Sequence, residues 1–433
     1  MTVGMASLAA ANFPLPAPAT RPTLAAIQHA LIWLVGACGA VVLIEPSPYE
    51  LVILVAMVFF LATGLRLQPV FVPLLFLLVV VNAGYTVCAI SLLDKPQIVN
   101  WVLTSWYLAA SALFFAMMLA ENTERRLEVL RRGLIAGALI TSLAGIIGYF
   151  RILPGAHDLF TLYGRARGGF KDPNVLAAFL ILPAMFSLQT VVTAPFWKSV
   201  RSTITLGIIS LAILLAFSRA SWGLLVGSSM STLALMYLTS PSQTQRLRIV
   251  IMAIAAIIAA ALLVAVLLSL DSVADLFKER ATFSQSYDSG RFGRFGRHSL
   301  GFQMALDLPM GIGPLQFSKF FPEDTHNSFL NAFMSGGWIS GIAFPTLIII
   351  TIVMGSRIVF TRVPWQRTYL AIFSVFLGTV VESIIIDVDH WRHFWMMLGT
   401  MWAMVAAAHT YRGFISLNSV TVNQAGDVNQ SRC

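Results

Sequence analysis

The chain reads as an all-α polytopic integral membrane protein, and three observations carry that reading. Hydrophobic residues make up 58% of it and charged residues only 11%, with a mean hydropathy of +0.80, against roughly 45 to 50% apolar and 25% charged in soluble domains. Apolar residues run unbroken from Ile249 to Leu268, about twice the length of the alternating segments of a membrane β-barrel, so the spans are helices. Basic residues are scattered through short connections between such runs. The formal charge of +9 therefore marks membrane topology and not a nucleic-acid partner.

Taken in order, residues 1–22 are Ala/Pro-rich and read as a cytoplasmic N-terminal segment. The run from Leu24 to Ile44 is too long for a signal-peptide core of about 7 to 15 residues and is expected to stay as a first, uncleaved helix. Turn residues and charges delimit further spans at Leu51–Leu65, Val70–Leu92, Ile98–Leu119, Gly133–Phe150 and Asn174–Ala194. The second half continues with Ser202–Phe217, Trp222–Thr239, Ile249–Leu268, Ser328–Met354, Thr368–Ile386 and Phe394–His409. That makes about twelve transmembrane helices in one domain over residues 23–410, followed by a polar, disordered cytoplasmic tail at 411–433.

With the N-terminus inside, the inner connections hold Arg66, then Arg125, Arg126, Arg131 and Arg132, then Lys198 with Arg201. Arg246, Arg248, Arg357, Arg362 and Arg367 follow on the same side, as the positive-inside rule requires, and an even number of spans returns the C-terminus there. Two long connections fall on the outer face, at residues 151–173 and 270–327, where long ordered loops tend to carry function. In the second, Phe292, Phe295, Leu300, Phe302 and Leu306 interleave with Arg291, Arg294, Arg297 and His298, a pattern for short helices lying along a membrane surface. Cys38 and Cys88 fall inside spans and Cys433 ends the chain, so no disulfide framework is indicated.

Cations on the outer side run against the topology rule. They are Arg165, Arg167 and Lys171 in the stretch Gly164–Asn174, Arg219 in the turn Phe217–Ser221, and Arg291, Arg294 and Arg297. A guanidinium is a permanently charged planar fork that matches phosphate oxygens, so these residues suit an anionic lipid head, diphosphate above all. The alternative is pairing with Asp158, Asp172, Asp288 or Asp307, or snorkelling to lipid phosphates. Arg219 lies between apolar spans with no acidic neighbour in sequence, and it would be expensive to hold there without a partner.

His326, with Asn327 after it, opens the span at Ser328 and has Asp324 nearby. A neutral imidazole at that surface can take a proton from a sugar hydroxyl; packing against loop backbone is the alternative role. Asp387 and Asp389, with Glu382 about a turn earlier and histidines beside them, have the types that hold a divalent metal. Asp-x-Asp alone is a weak signal and no other carboxylate cluster supports it, so neither metal nor cofactor is expected. Gly311–Pro314 lacks the Gly-Lys-Ser/Thr continuation of a phosphate loop and reads as a turn.

Three segments together resemble the O-antigen ligase and Wzy-type polysaccharide polymerase family of bacterial envelope glycan transferases. They are Arg167–Asn174 opening a span, Ser218–Arg219–Ala220 at a span junction, and Pro309–Pro314 followed by His326–Asn327–Ser328. The resemblance implies a GT-C-like membrane glycosyltransferase, inverting and metal-independent, at the periplasmic face of the inner membrane. Its donor would be a polyprenyl-diphosphate-linked glycan and its acceptor a hydroxyl of a glycan or of lipid A-core. Carried over, His326 would be the general base, while Arg219 and Arg167 would hold the diphosphate. Arg165, Lys171, Arg291, Arg294, Arg297 and Asn327 would complete the binding surface, with the contributing arginine of the large connection left open because no Trp follows it as in many relatives. A transporter or flippase for an anionic lipid-linked glycan or solute is the competing reading. Such a protein needs ionisable residues near mid-span, and here the polar residues gather at one surface.

Overall fold

Each apolar segment predicted from the sequence carries a helix, because a backbone that cannot bond to water must satisfy its own N–H and C=O groups, although the first helix ends at Cys38, short of the Ile44 expected, and the one predicted to reach Ile386 ends at Glu382. The computed structural model describes residues 22–280 and 290–430 and is 77% helical. Most of the N-terminal segment, residues 281–289 of the large connection and residues 431–433 lie outside the described residues.

The helices are α1 (Pro22–Cys38), α2 (Pro48–Ala62), α3 (Val72–Ala89), α4 (Pro96–Ala120) and α5 (Thr123–Tyr149). After α5 come a short helix α6 (Ala156–Phe160) and a small hairpin of β1 (Thr161–Leu162) and β2 (Arg165–Ala166). Then follow α7 (Pro173–Thr193), α8 (Phe196–Leu215), α9 (Arg219–Thr239) and α10 (Gln243–Leu268). The connection to α13 (Ser328–Ser356) carries two short helices, α11 (Asp271–Arg280) and α12 (Arg294–Asp307), and the chain closes with α14 (Gln366–Glu382) and α15 (Arg392–Gln430). Among the described residues, eight helices are long and apolar enough to cross a bilayer, namely α3 to α5, α7 to α10 and α13. The shorter α1 and α2 are apolar as well. α15 runs past residue 410 into the segment expected to be a tail; its 39 residues exceed the roughly 20 that cross a membrane.

Burial sorts these helices. In its most apolar window α7 is 89% buried while α10 is only 6% buried, so α7 runs through the centre of the bundle and α10 turns its side chains outward. Close packing relies on small residues: a Cβ at Gly133 of α5 would lie 2.2 Å from the Trp33 carbonyl oxygen of α1. Such contacts bring backbones together where apolar side chains alone supply no hydrophobic drive.

Each of the three resemblance segments contains a helix start. The Asp172 carboxylate accepts from Asn174 N (2.7 Å) with Pro173 in the first turn of α7. The Ser218 hydroxyl accepts from Ser221 N (3.4 Å) at the head of α9. The Asn327 amide oxygen accepts from Phe329 N and Leu330 N (3.0 Å each) at the head of α13. Each cap satisfies N–H groups that have no partner inside the helix.

A break in α13 anchors the Pro309–Gly313 turn. Gly337 adopts φ 61°, which frees the Met334 carbonyl to accept from Ile312 N (2.7 Å) and Gly313 N (3.1 Å). Pro309 O accepts from Trp338 N at 2.9 Å. The segment is the turn its sequence suggested, and it is fastened to the helix interior.

Candidate functional site

α9 packs on α14, and both pack on α7. Where α7 and α9 begin and α14 ends, they enclose a cavity of about 970 Å³, closed on one side by α12 and the segment before α13. Arg165, Asn174, Arg219, Arg294, His326 and Glu382 all line it. Four residues singled out from sequence, on four different segments, thus face one space.

Arg165 reaches the cavity through the β1–β2 hairpin. Its two-residue turn, Tyr163 (φ 50°) and Gly164 (φ 70°), has both residues left-handed, as the tight turns matching strand twist require. The buried guanidinium donates from Nε to Ala216 O (2.7 Å) and from Nη2 to Asn174 Oδ1 (2.8 Å). One cation thereby ties the end of α8 to the start of α7. Arg219 follows Phe217, another left-handed residue (φ 47°), in the sharp corner between α8 and α9. Non-glycine residues rarely adopt this region, and packing around the site must hold them there.

His326 is built with similar care. Its own φ is 45°, and the neighbouring backbone is gripped by Asp387. The half-buried Asp387 carboxylate accepts from His326 N (2.9 Å), Asn327 N (2.8 Å) and the Thr325 hydroxyl (3.0 Å). Burial raises the Asp387 carboxyl, with the Asp389 and Asp324 carboxylates adding to that, while these donors pull the other way. On the opposite side His298 Nε2 lies 2.9 Å from Thr325 O. The His326 side chain itself is 37% exposed, with Nε2 3.9 Å from Glu323 Oε2. Burial and the Arg294 guanidinium hold its imidazole below the ordinary histidine value, so the ring is neutral and free to accept a proton at neutral pH.

The remaining predicted residues take other places. Arg167 does not line the cavity; its guanidinium donates to the carbonyls of Leu159 and Asp158 (3.3 Å each), bracing the hairpin that carries Arg165. Lys171 pairs with Glu45 (2.7 Å) on the wall of a smaller neighbouring cavity of about 160 Å³. In α12, Arg294 and Arg297 lie at different depths. Arg297 is 1% exposed and binds Glu323 (2.7 Å), whereas Arg294 lines the cavity. Arg291 is exposed, packed over the Phe292 ring. Asn327 spends its side chain on capping α13 and on the Ile384 carbonyl (2.9 Å).

Glu382 is a cavity residue that sequence reasoning had linked only to a metal. It is 4% exposed; Oε1 accepts from the Ser221 hydroxyl (3.4 Å) and Oε2 has no partner. A lone acid closing an apolar helix was the available signal. Asp389 bonds to Asn331 Nδ2 (2.9 Å) and His390 Nδ1 (3.1 Å), and Asp387 is spent on backbone N–H groups. Among the described residues no three His, Cys, Asp or Glu side chains gather as a metal site would need.

Below the charged end, the cavity continues between α9 and α14 past Leu224, Gly227, Leu377, Gly378 and Val381 to Ser231 and Ser374. From Arg219 to Ser231 this is about 18 Å of helix. The site is therefore amphipathic, cationic at one end and an apolar slot beyond it. Protein-family models and curated proteins were both compared with the chain, and neither comparison found a match.

Proposed function

We propose that this chain is a membrane glycosyltransferase that moves a glycan from a polyprenyl diphosphate to a sugar hydroxyl, as an O-antigen ligase or a repeat-unit polymerase does. The reaction would take place at the periplasmic face of a bacterial inner membrane, in a bundle of about twelve crossing helices with both termini cytoplasmic. The carrying observation is the single cavity with Arg165, Arg219 and Arg294 beside His326 at one end and an apolar slot at the other. A lipid diphosphate has that same division: a doubly charged head and a long hydrocarbon chain.

In the proposed reaction the neutral His326 ring takes the proton of the acceptor hydroxyl. The oxygen attacks the anomeric carbon from the face opposite the diphosphate, the new C–O bond forms, and the bond to the diphosphate oxygen breaks with inversion. Charge developing on the leaving oxygens is met by fixed guanidinium groups, which need no reorganisation as the bond breaks. The alternative of a transporter is disfavoured by the position of the charged groups, which sit at helix ends and not at mid-span.

The test is transfer from a synthetic polyprenyl-diphosphate glycan by purified protein in nanodiscs. His326→Ala should lower the rate by about 10² to 10⁴, the usual worth of a general base, with insertion unchanged. Wild-type rates in that variant would defeat the proposal.

A further inference from the structure

We propose that a second cavity, at the opposite end of the same three helices, binds a phosphate group carried by an anionic phospholipid. It encloses about 180 Å³ and is lined by Thr193, Thr239, Ser240, Gln245, Arg248 and Arg367, among others. Thr193 ends α7, Thr239 ends α9 and Arg367 lies in the first turn of α14, whereas the large cavity is walled by the other ends of all three. α7 and α9 have 21 residues each, which at 1.5 Å per residue is about 30 Å, the thickness of a bilayer's hydrocarbon core. The two cavities therefore sit at opposite boundaries of the apolar slab, and this second site is independent of glycan transfer.

Its chemistry is one-sided. Two guanidinium groups, three hydroxyls and side-chain amides face it, and no carboxylate is among the lining residues. Among the described residues no acid pairs with Arg248 or Arg367. Arg248 is fixed in position by donating from Nη2 to the Ala194 carbonyl (2.6 Å) at the end of α7. Ser240 Oγ is held by Gln245 Oε1 at 2.9 Å. The three hydroxyls already donate to Gln189 O, Leu235 O and Gln245 Oε1, so the donors left for an anion are the two guanidinium groups and the side-chain amides, and a guanidinium fork matches tetrahedral phosphate oxygens. The volume falls short of the roughly 300 Å³ at which small-molecule sites begin, which suits a head-group phosphate. Met236 and Ile249 complete the wall with apolar surface, so a diester whose chains remain in the bilayer fits better than a free ion.

The full-length protein, purified and delipidated in detergent, would be titrated separately with phosphatidylglycerol, phosphatidylcholine and inorganic phosphate. Native mass spectrometry reads retained lipid and thermal melting reads stabilisation. Wild type should retain one phosphatidylglycerol per chain in preference to phosphatidylcholine. Arg367→Gln should weaken that retention about fivefold, the worth of one charge near a lipid surface. That variant keeps the backbone carbonyl to which Gln189 donates, so its fold is preserved; Arg248→Lys, which keeps the charge, should retain more lipid than Arg248→Gln. Stabilisation of wild type, but not of Arg367→Gln, by millimolar phosphate would uphold the phosphate site with a soluble ion as its source. Equal phosphatidylglycerol retention by wild type and Arg367→Gln, with phosphate affecting neither, would overturn it.

Discussion

His326 joins three properties that a proton acceptor needs: a position on the cavity wall, partial exposure, and an imidazole kept neutral by burial and by Arg294. The sign of the pH dependence follows. The proposed transfer needs the unprotonated ring, so activity should hold at neutral pH and fall only as pH drops through the lowered histidine value. Replacing Arg294 by Gln removes a positive neighbour, raises the imidazole's proton affinity and should move the acid limb of kcat/KM to higher pH. A limb that stays in place in Arg294→Gln would break the link between the two residues. His326 and Arg219 were legible in the sequence because each opens an apolar run, where helix-start chemistry is local. The choice of Arg165 over Arg167 was not, since a two-residue turn decides which arginine faces the cavity and which braces the hairpin.

The connection between α14 and α15 acts on the start of α13 through Asp387. Asp387→Asn keeps one acceptor oxygen but sets an NH₂ against backbone donors, and an unsatisfied buried N–H costs about 1 to 3 kcal/mol. Turnover should fall at least tenfold while donor KM changes little, because the arginines on α9 and in the hairpin are untouched; unchanged turnover would deny Asp387 its positioning role. Within α13 the break at Gly337 can be tested in the same manner. A Cβ there would approach the Pro309 carbonyl to 2.4 Å at φ 61°, so Gly337→Ala should lower stability by about 1 to 3 kcal/mol, read as a lower melting temperature.

Across the molecule, the arrangement of α7, α9 and α14 makes the cavity a route between polar surface and apolar slab. Gly227 lines the slot, and nothing lies within 4 Å of a Cβ placed on it. Gly227→Phe should therefore fold and melt as wild type while losing most transfer from a lipid-linked donor, because the ring would occupy the space assigned to the hydrocarbon chain. Undiminished transfer by that variant would remove the slot from the donor's path.

Hydropathy, cap residues and breakers act over a few neighbours along the chain, and these local terms were enough to place the helices and to mark the starts of α7, α9 and α13 as special. They could not say that these starts, together with the end of α14, converge on one cavity. That convergence depends on packing between residues as far apart as Ser221 and Glu382, or His326 and Asp387. Helix packing and a left-handed turn also decided which of several similar arginines reach the cavity and turned Glu382 toward it. No pattern along a single segment encodes such choices, because each one is made by contacts that exist only once the bundle has closed.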